Sequence, residues 1–138
     1  MILNLTQHPA TPEQIAQGVV DLSGDDLAAL KMLLNFEELP EADDLPRRAI
    51  EVAEIAIRAT RGVVSECMIG GAPFFMRPLE QALLMAGFRP VYAFSRRVVE
   101  EAIQPDGTVR KTAVFRHEGF VRPCGDTPLD GFEGWPTK

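Results

Sequence analysis

A chain of 138 residues, 46% of them apolar and 25% charged, has the composition of one soluble globular domain. No apolar run approaches the ~20 residues of a membrane span, and no basic-then-apolar leader opens the chain. Two cysteines, Cys67 and Cys124, make neither a disulfide framework nor a zinc site, so a cytoplasmic protein without membrane, metal or cofactor is expected.

A net charge of −6 argues against duplex nucleic acid as a partner, because such binding rests on neutralising phosphates. The charge is uneven. Residues 1–57 hold eleven acids against three basic residues and residues 58–138 nine against eleven, so a local anion site in the second part is compatible with an acidic whole.

The run Ile2, Leu3, Leu5 predicts a buried strand, followed by the polar loop Thr6-Gln7-His8-Pro9-Ala10. Thr11-Pro12-Glu13-Gln14 has the form of a capping box, with proline at the first helical position, and Gly18 should end that short helix. Val19 to Leu22 reads as a second strand. Ser23, followed by Asp25 and Asp26, signals a second helix, whose Leu27, Leu30, Leu33 and Leu34 form one face and which ends near Phe36. The acidic connection Glu37 to Asp44 lacks calcium-loop spacing.

Asp44 is placed to cap a third helix running to about Thr60, with a stripe of Ile50, Ala53 and Ile57 widened by Val52, Ile55, Ala56 and Ala59. Arg61-Gly62 closes it, and Val63-Val64 lead into the apolar run Cys67-Met68-Ile69. Gly70-Gly71-Ala72-Pro73 then turns into a helix ending at Gly87, with Pro78 as an internal bend. Free N–H groups at such a helix start can seat a phosphate, although a glycine turn there also serves simply to close a tight strand-to-helix connection. Arg89-Pro90 introduces a strand over Val91 to Ser95. After Arg96 and Arg97, the runs Val98 to Ile103 and Val109 to Phe115 flank Pro105-Asp106-Gly107 as a β-hairpin.

Strands alternating with helices predict an α/β fold: a Rossmann-like, mostly parallel sheet flanked by helices, with a C-terminal β-hairpin, over residues 1–122, followed by an irregular tail, 123–138, that contains Trp135. Ligands of such sheets sit beyond the carboxyl ends of the strands. The topology therefore predicts one rim formed by Thr6 to Thr11, Gly70 to Phe74 and Ser95 to Arg97.

The pattern Leu3-Asn4-Leu5-Thr6-Gln7-His8 with Thr11-Pro12-Glu13-Gln14, a strand ending in Gly70-Gly71-Ala72, then Pro90 to Ser95, and finally Val99-Glu100-Glu101 through Gln104-Pro105-Asp106-Gly107 to Arg116-His117 resembles small stand-alone CRISPR-associated Rossmann-fold (CARF-like) proteins. Similar short proteins occur in phage and mobile elements. The resemblance implies a homodimer that binds a cyclic oligoadenylate second messenger and acts, as some relatives do, as a ring nuclease in antiviral defence. On this chain it implies phosphate contacts from the N–H groups of Gly71 to Phe74 and from Arg96 or Lys111. Thr6, Gln7, Gly70, Ala72, Ser95 and Arg97 complete the ligand set. Cleavage would proceed by metal-independent 2′-hydroxyl attack, with His8, or His117, moving a proton. The turn continues here with Ala72-Pro73 where many CARF motifs carry a hydroxyl, which bears on cleavage more than on binding. Two other readings stand beside it. One is a non-catalytic sponge for a nucleotide signal. The other is a protein-interaction module using the apolar helix over residues 45–60 or the tail.

Overall fold

Short apolar runs alternating with capped helical stretches fold into a five-stranded sheet in a computed structural model that describes residues 1–61 and 65–124. In chain order the elements are β1 (Ile2–Asn4), α1 (Pro12–Ala16), β2 (Val19–Asp21), α2 (Gly24–Leu34), α3 (Asp44–Thr60), β3 (Glu66–Met68), α4 (Pro73–Met85), β4 (Arg89–Ile103) and β5 (Val109–Val121). The sheet order is β2-β1-β3-β4-β5. The first four strands are parallel and β5 runs antiparallel to β4. Gly62 to Val64 and the tail from residue 125, with Trp135, lie outside the described residues.

Because successive strand side chains point to opposite faces, β1 feeds two cores. Leu3, Leu5, Cys67 and Ile69 face α2, α3 and α4 and pack with Leu30, Val52, Ile55, Phe75, Leu79 and Leu83. Ile2, Val19, Met68 and Val91 face the other way, where Ala10 and Phe120 cover them. Each fully buried leucine or phenylalanine of this set contributes about 1.5–3 kcal/mol. Burial on both faces is what lets strands of three residues persist.

Local signals explain the helix ends. Thr11 Oγ1 accepts from the Gln14 N–H while Gln14 Oε1 accepts from the Thr11 N–H, so the predicted capping box is present. At the end of α4, Phe88 N–H donates to Leu83 C=O and Gly87 N–H to Leu84 C=O, with Gly87 at φ 91°. This is the Schellman arrangement, and glycine supplies its left-handed residue. The helix begins at Pro73 and continues through Pro78. Elsewhere the expectation shifts. Asp43 rather than Asp44 precedes α3, and Asp44 instead pairs with Arg47 in the first turn. Ile50 and Ile57 are exposed, while Ala49, Val52, Ala53, Ile55, Ala56 and Thr60 are buried. The buried face is rich in alanine, which permits close approach to α4.

The largest correction concerns Ser95 to Arg97, which is not a loop. β4 is one strand of 15 residues, and the polar segment lies in its middle because β5 pairs with it from Tyr92 to Ile103. The ladder has one irregularity: Phe94 faces Gly119 and Ser95 faces His117, so Glu118 is an extra residue, a β-bulge on β5. Beyond Tyr92 the two strands pair only with each other and form an arm.

Candidate functional site

The chain leaves β1 in one direction through α1 to β2, and then crosses back through α2 and α3 to β3 on the other side of β1. That reversal makes the carboxyl ends of β1 and β3 the topological switch point of the sheet, where the two connections diverge and leave a crevice. A cleft of about 630 Å³ lies there. Its polar rim is Thr6, Gln7 and His8 from one loop and Gly70, Gly71 and Ala72 from the other. Its apolar walls include Leu34, Met68, Ile69 and Tyr92.

The first loop is held by a residue whose importance the sequence did not disclose. Asn4, 3% exposed at the end of β1, uses its whole hydrogen-bonding capacity. Its Nδ2 donates to His8 C=O and to Asp21 Oδ1, both at 2.8 Å, and its Oδ1 accepts from Thr6 N–H at 2.9 Å and Thr6 Oγ1 at 2.7 Å. Asp21, at the end of β2, also accepts from the Ala10 N–H at 3.1 Å. Two adjacent strand ends thus fix the loop through side chains, and Gln7 and His8 are presented at its exposed crest.

The second loop depends on glycine. Gly71 has φ 136°, a region that side-chain-bearing residues rarely adopt. A Cβ built on Gly70 would stand 3.8 Å from Thr6 Cγ2, so the two loops meet at that point. The Phe75 N–H is taken by Ala72 C=O and Pro73 has no N–H, so the Phe74 N–H is the remaining donor of the first turn of α4, but Phe74 is half exposed and does not line the cleft, contrary to its predicted place in the ligand set. The Phe74 ring itself turns to Phe36, with ring centroids 4.9 Å apart in an edge contact.

Tyr92, also unforeseen, forms the wall on the β4 side. Its hydroxyl donates to Glu80 Oε2 at 2.5 Å, and burial together with this carboxylate pushes the phenol well above its ordinary range. Its role is therefore to stand as a neutral, fixed surface. Beneath the glycine turn, burial pushes the Cys67 thiol up to about 12, so it is a core group rather than a nucleophile.

Of the residues singled out in the sequence, Thr6, Gln7, His8, Gly70, Gly71 and Ala72 line the cleft together. Ser95, Arg96, Arg97 and Lys111 stand on the arm instead. Ser95 lines a neighbouring groove with Thr11, Gln14 and His117. Arg96 pairs with Glu118 at 2.6 Å, and Lys111 lies 3.7 Å from Glu101 near the arm's tip. Among the described residues, the cleft lining consequently holds no arginine or lysine. His117 Nε2 lies 2.9 Å from Gln17 Oε1, which joins β5 to the residue following α1. Among the described residues, no group of three or more His, Cys, Asp or Glu side chains could hold a metal, and no helix is long and apolar enough to cross a membrane.

Residues 1–121 match the model of the Uncharacterized protein MJ1673 family, and the chain belongs to that family. No curated protein and no solved structure gives a significant match.

Proposed function

We propose that the cleft between the β1 and β3 loops binds a nucleotide-class ligand, with a cyclic oligonucleotide of the oligoadenylate class as the expected form and a homodimer as the binding unit. The observation that carries this reading is the meeting of the Thr6–His8 and Gly70–Ala72 loops at the switch point, around a cleft of about 630 Å³. A phosphate is served by the positive end of α4, and a base by the apolar surface of Met68, Ile69, Leu34 and Tyr92, with Gln7 available to its polar edge.

Arg96 and Lys111, expected to contact the phosphates, are ion-paired on the arm instead, which leaves phosphate binding to the start of α4 and takes from cleavage the cations that would stabilise its transition state, so binding without turnover is the favoured form. Cleavage, if it occurs, falls to His8. The ribose 2′-oxygen attacks the adjacent phosphorus and gives up its proton to solvent. The bond from phosphorus to the 5′-oxygen breaks, and His8 delivers a proton to that oxygen, leaving a 2′,3′-cyclic phosphate and a 5′-hydroxyl.

The test is to incubate the protein with a panel of cyclic oligonucleotides while following the melting temperature and the products by chromatography. A ligand at 100 times its Kd adds about 2.7 kcal/mol and raises the melting point by several degrees. Gly71→Val and Tyr92→Ala should each reduce that rise. Stabilisation without product is the sponge, and product that disappears in His8→Ala is the enzyme. A panel that leaves the melting temperature unmoved ends the nucleotide reading.

A further inference from the structure

The arm carries its apolar side chains on the wrong face for a monomer. Ser95, Arg97, Val99, Glu101 and Ile103 of β4 share one face with their cross-strand partners His117, Phe115, Ala113, Lys111 and Val109. His117 contacts Gln17, so this is the side of the sheet on which α1 lies. Val99 is 58% exposed, Ile103 81%, Val109 56% and Phe115 73%. The opposite face carries Arg96, Glu100, Arg110 and Arg116 around a half-buried Val98 and Val114, with Phe94, 51% exposed, at its base. Among the described residues nothing packs over the outer part of either face, and a two-stranded ribbon in that state is marginal in water and invites association through an apolar face.

We infer that this face is a homodimer interface, in which the arms of two copies lie face to face and antiparallel about a two-fold axis through Val99. The charges on the face select that register. Arg97 and Glu101 flank Val99 at equal distances along β4, so the two-fold places Arg97 of each copy against Glu101 of the other. On β5 the same operation sets Lys111 over the ring of Phe115, a cation–π pairing. Among the described residues Arg97 has no ion pair within the chain.

Direction follows from α1, which stands out from this face at the arm's base, so a second arm can lie flat only by entering tip first. Its tip, Ile103 and Val109, then comes to the groove of about 340 Å³ between α1 and the arm, lined by Thr11, Glu13, Gln14, Ser95, Phe115 and His117 and also taking in Glu100, Val114 and Arg116. Four large apolar side chains from each copy bury on the order of 1,000 Å² in total, the lower bound of a specific interface. Because Thr11 and Gln14 also line the cleft, the second copy's tip sits beside the binding site. This gives the homodimer of the functional reading a surface, and it stands whether or not the cleft takes a nucleotide.

Sedimentation of the full chain, without nucleotide, tests the interface separately from the ligand. The wild type should be a dimer at micromolar concentration. Arg97→Glu should weaken it more than ~10-fold, and Arg97→Glu with Glu101→Arg should restore it to within about threefold of wild type. In a Cys124→Ser background, Val99→Cys should be cross-linked between copies by a short bismaleimide that spans the ~10 Å between facing sheets, whereas Ile50→Cys on the far layer should not. A wild type that stays monomeric near 1 mM, a charge reversal without effect, or a double reversal that fails to restore dimers while circular dichroism shows the fold intact would each overturn the proposal.

Discussion

β1 and β3 are three residues long and almost wholly buried, whereas β4 and β5 run for 15 and 13 residues and are exposed on both faces for most of their length beyond Tyr92. By count of ladder hydrogen bonds the arm is the more regular structure. By burial it is the weaker, because each of its hydrogen bonds replaces one to water and little apolar surface leaves solvent with it. Regularity and stability are thus separated in one sheet. The short strands hold because helices cover them, and the long ones stand largely open to solvent.

The sharpest way to break that comparison is to delete the same side chain in both regions. Phe75→Ala, at 1% exposure between α4 and the sheet, should cost about 3–5 kcal/mol in chemical denaturation. Phe115→Ala on the arm, measured at sub-micromolar concentration where chains are separate, should cost less than about 0.5 kcal/mol. Equal losses would mean that the arm belongs to the core.

Between those extremes lies Asn4→Ala, which strands the Asp21 carboxylate and the His8 carbonyl without their shared donor. A loss of about 2 kcal/mol is expected, with faster amide exchange from Thr6 to Ala10 while the arm is unchanged.

The smaller effect concerns the seam between the regions. Arg122, just past β5, donates through its Nη2 to Glu66 Oε1 at 2.9 Å and through its Nε to Glu66 Oε2, and this bidentate bond holds the Glu66 carboxyl below its ordinary range. Since the folded pKa lies below the unfolded one, the pair stabilises the fold above the unfolded glutamate value, ~4.3, and the contribution is lost as pH falls through the folded value. Glu66→Gln should therefore lower stability by about 1 kcal/mol or less at pH 7, given partial exposure, and flatten the acid limb of stability against pH.

Much of the parallel half was legible in the sequence, because its signals are local. The Thr11 to Gln14 capping box, Pro73 and Gly87 each act within one turn of helix, and all three do what their chemistry predicts. The meeting of Thr6 to His8 with Gly70 to Ala72 followed from strand order alone. What could not be read depends on distant partners. Asn4 looks like any polar residue at a strand end until β2 brings Asp21 within 2.8 Å. Ser95-Arg96-Arg97 reads as a loop because polarity within an apolar run marks a turn in a buried strand. It marks nothing in a strand that has left the core and is paired by β5. Ile50 and Ile57 mislead in the same way, since an apolar stripe states which residues share a face but not whether anything covers it.

The bulge at Glu118 keeps the phase of the arm. Side chains on a strand alternate with period two, so one unpaired residue between His117 and Gly119 lets Phe120 point into the core under α1 while Phe115, on the same side, still matches the alternation of an unbroken β4. Removing Glu118 would close the bulge into a regular ladder, with Gly119 still opposite Phe94 and His117 still opposite Ser95, so Phe115 and Phe120 would keep their shared side and only the local kink and twist would relax. A single residue added or lost elsewhere in β5 has no such outlet: unless a second bulge takes it up, it turns the outer part of the strand over, whereas a pair only lengthens or shortens the arm.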